Sequence, residues 1–105
     1  MATVRLRRGA QEDVAKADGS QLSAIANGLK KLQVSPDLRG EALGDNLAGY
    51  RKLVLGCRKL RIVYKYDPLE DLVIVIAIGR RRDEEVYKLA LSRISDDSAD
   101  SLGDI

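Results

Sequence analysis

The feature that most constrains the fold is an unbroken apolar run from Leu72 to Ile78. Such a run is far too short to span a bilayer as a helix. Its valine and isoleucine residues favour a β-strand. Because both faces of that strand are apolar, we expect it to lie centrally in a sheet that is covered on both sides.

Three further strands are predicted from the alternation of apolar and polar residues. Tyr50–Leu55 and Arg58–Tyr66 come just before the apolar run, with a turn at Gly56-Cys57 between them and another at Asp67-Pro68. Short turns between consecutive strands are typical of an antiparallel meander. Thr3–Arg7 also alternates, and we expect it to join the same sheet.

Helices are predicted where apolar residues recur at helical spacing. A short helix covers Ala10–Ala17, and a second begins after Ser20, its predicted N-cap, and ends near Gln33. A last helix begins at Asp83 and ends near Ile94. Helices at these places can pack on a sheet through their apolar stripes.

Together these elements predict an α+β fold with the order β-α-α-β-β-β-α. The sheet has about four antiparallel strands, with the two N-terminal helices packed on one face and a C-terminal helix. Residues 37–49 are predicted to form a long loop with one helical turn at Glu41–Leu43. We expect a single domain over residues 1–94 and a flexible tail over 95–105, which holds four of the 16 acidic residues and none of the 18 basic ones.

The cysteine and histidine content excludes several kinds of site. Cys57 is the one cysteine, so the chain has no internal disulfide, which is typical of a reducing compartment. The absence of histidine excludes a ribonuclease with two catalytic histidines and removes the usual zinc ligands. The acidic residues near the turns suit capping better than metal binding. We therefore expect a cytoplasmic protein with no metal and no cofactor.

Basic side chains gather on one face of the predicted sheet. Alternation along Arg58–Tyr66 directs Arg61 away from the apolar face, and Lys52 falls on the same side. With Arg81 and Tyr87 just beyond the central strand, they predict a concave basic face that suits a polyanion. A purely structural interpretation stays open, in which Arg61 pairs with a helix carboxylate and Tyr87 is a half-buried core residue.

Two stretches show a pattern that resembles a known family. They are Gly49–Tyr64, GYRKLVLGCRKLRIVY, and Val73–Ile94, VIVIAIGRRRDEEVYKLALSRI. A strand that begins with Gly-Tyr, an Arg-x-Val-Tyr strand, and an Ala-x-Gly-x-Arg run that leads to a helix tyrosine are together similar to the RelE/ParE toxin superfamily. The resemblance covers nearly the whole ordered chain and implies the RelE/ParE-like fold.

The resemblance favours the ribonuclease branch of that superfamily, which cleaves messenger RNA in the ribosomal A site and so inhibits translation. By position, it implies that the catalytic residues are Lys52, Arg61, Arg81 and Tyr87. The other basic residues nearby are expected to bind RNA: Arg51, Lys59, Arg80 and Arg82.

Cleavage of RNA without a metal suits these residue types. The 2′-hydroxyl attacks the adjacent phosphorus and the 5′-oxygen leaves, so fixed arginines stabilise the charge that develops on the phosphoryl oxygens. A lysine among other cations can act as the base, and a tyrosine can orient the 2′-hydroxyl or stack on a nucleobase. The second strand lysine of the best-known members falls on Val54 here, so the general base stays open, with Lys59 as an alternative.

The resemblance also implies a cognate antitoxin protein that wraps the toxin and shields its basic face, and messenger RNA on the ribosome as substrate. Two other functions stay open. One is a ParE-like inhibitor of DNA gyrase, which keeps the scaffold but often lacks the combination of Arg81 and Tyr87. The other is a non-catalytic basic interaction module, which the departure at Val54 favours.

Overall fold

The structure is a computed structural model, and it describes residues 1–56, 59–80, 84–95 and 102–104. Two 3-10 turns, at Pro36–Leu38 and Asp45–Leu47, flank a short strand in the loop before the meander. The helices and strands, in chain order, are β1 (Thr3–Arg7), α1 (Arg8–Ala15), α2 (Gly19–Leu32), β2 (Glu41–Ala42), β3 (Arg51–Val54), β4 (Leu60–Asp67), β5 (Leu72–Arg80), α3 (Glu85–Ser95) and β6 (Leu102–Asp104).

All the strands belong to one mixed sheet of six strands, in the order β2-β3-β4-β5-β1-β6. The predicted α+β class is confirmed, and so is the antiparallel meander of β3, β4 and β5. The prediction of about four antiparallel strands is wrong in its details, because the sheet has six strands and β1 runs parallel to β5.

The parallel direction of β1 follows from the path of the two N-terminal helices. They return the chain to the end of the sheet where it began, and the Ala2 N–H donates to the carbonyl of Gln33, just after α2, at 2.9 Å. The meander therefore starts from the same end as β1, and its third strand points the same way as β1. A helical crossover of this kind is what a parallel pair requires.

Apolar side chains fill both sides of the sheet, as predicted for the central strand. On the side covered by α1 and α2, the α2 face, buried residues of the sheet pack against buried residues of the helices. On the side covered by α3, the α3 face, a second and smaller core forms. The α2 face holds Leu53, Leu60, Ile62, Tyr64, Val73 and Val75 against Ala10, Ile25, Leu29 and Leu32, and the α3 face holds Val63, Ile74, Ile76 and Ala77 against Val86 and Ala90.

The N-cap of α2 differs from the prediction. Asp18, not Ser20, is the cap, and its carboxylate accepts from the Gln21 N–H at 2.9 Å. The Gln21 side chain accepts in return from the Asp18 N–H at 3.0 Å, which completes a capping box. Ser20 supports the cap by donating its hydroxyl to Asp18 at 2.9 Å. The hydrogen bond from Gln21 is also the main cause that lowers the pKa of Asp18.

Two further expectations are corrected by the strand pairing. Glu41–Ala42 form β2 and pair with β3, where one helical turn was expected. Residues 102–104, expected to lie in a flexible tail, form β6 and pair antiparallel with β1. Asp83, the predicted cap of the last helix, and Cys57 lie outside the described residues.

Within the described ranges, no helix has the length and apolar character that crossing a bilayer requires.

Candidate functional site

The register of the meander brings Lys52 and Arg61 to one face of the sheet. Lys52 pairs with Val63 and Val54 pairs with Arg61 across β3 and β4. Directly opposed residues share a face, and so do residues two apart on one strand, so all four side chains lie on the α3 face. Alternation along the sequence predicts this grouping, although the structure covers part of that face with α3 rather than leaving it open.

Arg61 is nearly buried, with 9% of its surface exposed. Its Nη1 donates to the carbonyl of Leu60 at 3.1 Å. Gly79 lies opposite Arg61 on β5, and a Cβ built there would lie 3.4 Å from the Cβ of Val86. The lack of a side chain at Gly79 therefore lets the start of α3 pack close to the strand that bears Arg61.

Tyr87 lies near the start of α3 and meets Lys52. The Lys52 Nζ is 6.0 Å from the centroid of the Tyr87 ring, a separation at which a cation is attracted to a ring face. The same Nζ is 3.7 Å from the Oε2 of Glu41 on β2. The Tyr87 side chain is half-buried, and its hydroxyl is buried without a hydrogen-bond partner among the described residues.

Lys52 and Tyr87 line one open groove with a volume of about 410 Å³. Its other lining residues include two carboxylates, Asp45 and Glu84, and the groove is therefore mixed in charge rather than uniformly basic as predicted. Both carboxylate residues have a positive φ, 53° and 57°, which is uncommon outside glycine and tends to occur at functional sites. The remaining lining residues are Leu43, Gly44, Asn46, Leu47 and Leu91.

The sequence interpretation placed no carboxylate beside Lys52, and it considered Glu84 only as a possible partner of Arg61. Glu41 and Asp45 belong to the segment predicted as a loop, where no periodicity assigns a face. Glu84 lies one residue before α3, where an acidic residue is ordinary for the start of a helix. The clearest sequence signal for Glu41 and Asp45 is the Gly- and Asp-rich composition of the segment 37–49, which indicates unusual backbone conformations but not where the two side chains lie.

The predicted RNA-binding residues do not all join this groove. Arg51 lies on the α2 face opposite Tyr64, where it donates to the carbonyls of Arg39 at 3.0 Å and Gly40 at 3.3 Å. Arg80 pairs with Leu60 of β4 and so also belongs to the α2 face.

The remaining predicted site residues are Lys59, Arg81 and Arg82. Lys59 is exposed just before β4. Arg81, predicted to be catalytic, and Arg82, predicted to bind RNA, lie outside the described residues. Val54, which replaces the second strand lysine of the family, is 43% exposed beside Arg61.

Within the described residues, no three acidic or cysteine side chains form a group that could hold a metal ion.

Comparison with known proteins finds no matching family model and no matching curated protein. Solved structures do match. The toxin–antitoxin complex RelBE2 from Mycobacterium tuberculosis shows 26% identity and a TM-score of 0.69, over 76% of this chain and 98% of that one. A mutant of the E. coli toxin RelE in the free state shows 24% identity and a TM-score of 0.73, over 90% and 99%. The intact E. coli RelBE toxin–antitoxin complex shows 20% identity and a TM-score of 0.60, over 76% and 96%.

Proposed function

We propose that this chain, which has the RelE-like toxin fold, is the toxin of a toxin–antitoxin pair and has a cognate antitoxin as its partner. The proposal is supported by similarity over most of the chain to toxins whose structures include complexes with an antitoxin. The partner is expected to offer an amphipathic segment with acidic residues, because the body of the chain is basic.

We further propose that the toxin is a metal-independent endoribonuclease that cleaves messenger RNA on the ribosome. The observation that supports this activity is the contact between Lys52 and the Tyr87 ring, at 6.0 Å, on the same face as Arg61. A cation, an aromatic ring and a nearly buried guanidinium are the parts that phosphoryl chemistry and base stacking need. They come from three separate elements, β3, β4 and α3.

Each side chain has a distinct part in the proposed reaction. Arg61 is only 9% exposed and does not line the groove, so its permanent charge stabilises the phosphoryl oxygens through its electrostatic field rather than by contact in the groove. Lys52 lines the groove beside carboxylates rather than among other cations, so its ammonium group binds a phosphoryl oxygen, and the base that takes the proton of the attacking 2′-hydroxyl stays open. Its neighbour Glu41 has a side chain that is 74% exposed, so a phosphate that enters the groove can displace it. Arg81 is a second stabiliser by its position in the family pattern.

Tyr87 acts through its ring rather than its hydroxyl. The hydroxyl is buried, whereas the side chain as a whole is half-buried and lines the groove. A ring held in this way offers a stacking surface for a nucleobase, and such stacking contributes about 1–3 kcal/mol per base. A tyrosine can stack on a nucleobase or orient the 2′-hydroxyl. The geometry of Tyr87 favours stacking.

The proposed activity is tested by inducing the chain in cells and mapping message ends by primer extension, together with cleavage on purified translating ribosomes. Lys52→Met is expected to lower cleavage by about 100-fold or more, as loss of a fixed group that stabilises the developing charge does. Tyr87→Leu is expected to lower it by about tenfold or more through lost stacking, while Tyr87→Phe changes it little. Lys16→Met, an exposed lysine at the end of α1, is the matched control and should cleave like the original chain.

Two results would contradict the ribonuclease. Growth arrest with intact messages and DNA breaks in complex with gyrase would indicate the ParE-like activity instead. Intact messages with no arrest would leave a non-catalytic interaction module. A Tyr87→Phe variant as inactive as Tyr87→Leu would contradict the stacking role and return the hydroxyl to the mechanism.

A further inference from the structure

We propose that Asp13 and Arg93 are positioning residues that fix the rotation of α3 about its axis and thereby hold Tyr87 against Lys52. This inference rests on the proposed ribonuclease function of the Lys52 and Tyr87 groove. Neither residue lines that groove, and the sequence pattern assigns neither of them to a site.

The two side chains form a nearly buried, two-pronged ion pair between α1 and α3. Arg93 Nη1 donates to Asp13 Oδ2 at 2.7 Å, and Nη2 donates to Oδ1 at 2.9 Å. The side chains are only 16% and 13% exposed. A paired fork of this kind restricts orientation more than a single contact does.

The pair also binds the backbone of β5. The Ile78 N–H donates to Asp13 Oδ2 at 2.9 Å, and Arg93 Nη1 donates to the Ile76 carbonyl at 3.0 Å. Among the described residues, β1 pairs with β5 only as far as Val75. The two side chains therefore bind backbone groups of Ile76 and Ile78, just beyond the part of β5 that β1 covers, and they join α1, β5 and α3 at one point.

Gly9 supplies the space for this junction. A Cβ at Gly9 would overlap the guanidinium of Arg93. The first turn of α1 therefore packs directly on the planar group, which limits movement of Arg93 on the side away from β5. The guanidinium is held between α1 and the strand.

The helical spacing of α3 explains how Arg93 affects Tyr87. Val86, Ala90 and Arg93 recur at intervals of four and three residues and form one stripe, which packs on β5 at Gly79 and at Ile76. Tyr87 and Leu91 form the adjacent stripe, which lines the groove. Since the first stripe is fixed to the strand, the second cannot turn away from Lys52. Loss of the polar anchor frees the helix to roll, and the Tyr87 ring moves with it.

The experiment compares three variants with the original chain and with Lys88→Met, an exposed lysine on α3 that serves as a matched control. Arg93→Met removes the anchor but leaves the Asp13 charge buried, which by itself threatens the fold. The double variant Asp13→Leu/Arg93→Met removes both charges and fills the site with apolar groups, which folded proteins usually tolerate. Arg93→Lys keeps the charge and one cluster of donors.

Two measurements are made on each folded variant: kcat and KM for messenger cleavage on ribosomes, and hydrogen exchange of the α3 amides. We expect the double variant to lose about tenfold or more in kcat with KM unchanged, since misplacement by about 1 Å has effects of this size. Its α3 amides should exchange faster, and its thermal midpoint should fall because the Ile78 N–H and the Ile76 carbonyl lose their partners, while the variant stays folded at the assay temperature. Arg93→Lys keeps the charge but not the fork, so it should recover only part of the kcat.

The outcomes separate this proposal from the proposed function. If the folded double variant keeps the original kcat, or if its α3 amides exchange no faster, the positioning role is wrong. If the original chain cleaves no RNA, the ribonuclease fails, and α3 exchange alone then decides whether the pair fixes the helix. A fall in kcat that only follows global unfolding also overturns the proposal.

Discussion

Tyr64 shows how one buried hydroxyl organises the loop beside the groove. It lies fully buried on the α2 face, and its hydroxyl is 2.9 Å from the Pro36 carbonyl and 2.8 Å from the Arg39 carbonyl. Burial is the largest cause that raises its pKa. Since Arg51 binds the Arg39 carbonyl as well, these two side chains hold the chain that leads into β2 and Glu41.

We expect replacement of Tyr64 by phenylalanine to lower the stability of the fold by an amount that depends on pH. Tyr64→Phe should lower the free energy of unfolding by about 1–2 kcal/mol at neutral pH, because a buried carbonyl loses its hydroxyl donor. A tyrosine whose folded pKa is raised stabilises the fold fully below pH 10.0, the ordinary pKa, and loses that effect as pH rises through the folded pKa. Stability of the Tyr64→Phe variant should therefore fall less steeply above pH 10.0 than that of the original chain.

Urea unfolding between pH 7 and pH 12 measures both effects, with Tyr66→Phe as the control. Tyr66 donates to Asp71 at 2.7 Å, and this hydrogen bond is the main cause that raises its pKa to about 12. Its alkaline titration remains in the Tyr64→Phe variant and is absent from the control. Equal alkaline slopes for Tyr64→Phe and the original chain would contradict the prediction.

At the scale of single residues, the sequence predicts what strand alternation determines and little more. Lys52 and Arg61 share a face because their positions on paired strands require it. Glu41 reaches Lys52 only through the fold of a loop. Asp13 and Arg93 are 80 positions apart, so no local pattern connects them, and Arg93 alone reads as an ordinary basic residue near a helix end.

Among the elements, the short strand β2 depends on a glycine just before it. Gly40 has a φ of 64°, and a Cβ there would overlap the backbone carbonyl of Lys52. Gly49, at the other end of the loop, has a φ of 91° but no heavy atom near the place of a Cβ. The two glycines share the left-handed conformation and differ in packing, so they form a matched pair.

Gly40→Ala should destabilise the fold by at least about 1 kcal/mol more than Gly49→Ala, because only the first adds overlap to the backbone penalty. Denaturant unfolding of both variants measures the difference. Gly40→Ala should also speed hydrogen exchange in β2 and β3, whose pairing it disturbs. Equal stabilities for the two variants would show that the loop moves aside and that packing against Lys52 is unimportant.

The predicted elements are right where one face or one run of residues has a clear periodicity. Strands β1, β3, β4 and β5 and all three helices are found close to their predicted positions. β2 was missed because two residues are too few to show alternation. Gly28, which weakens α2 in isolation, is explained by tertiary packing, since a Cβ there would overlap a methyl group of Leu55.

For the molecule as a whole, the least predictable property is the direction of β1. Periodicity reports which residues face a core, but it contains no information on whether neighbouring strands run parallel. That direction follows from the return of α2 to the start of β1. The pairing of residues 102–104 with β1 likewise joins the two ends of the chain, which composition alone assigns to a separate tail.

Deletion of residues 96–105 tests the predicted domain boundary. The described members of both cores lie before this segment, so the shortened chain should keep its circular dichroism spectrum. β1 would then present an unpaired edge at Arg5–Arg7, and such edges promote pairing between chains. Light scattering should show self-association that rises with concentration, in contrast to the full chain.

Two results would count against this prediction. A shortened chain that fails to fold would place the last residues inside the domain. A shortened chain that scatters like the full chain at the same concentration would show that β6 does not protect the edge.

β1 and its sheet neighbour β5 are far apart along the chain, so the sheet assembles late during synthesis of the protein. β1 leaves the ribosome first, yet its partner β5 ends at Arg80, and Tyr87 is added later still. Since the exit tunnel encloses the newest residues, the nascent chain emerges with its first strand unpaired, and such non-local pairing is slow. The groove that Lys52 and Tyr87 line therefore cannot form before β5 and α3 have both left the tunnel, however early β1 emerges.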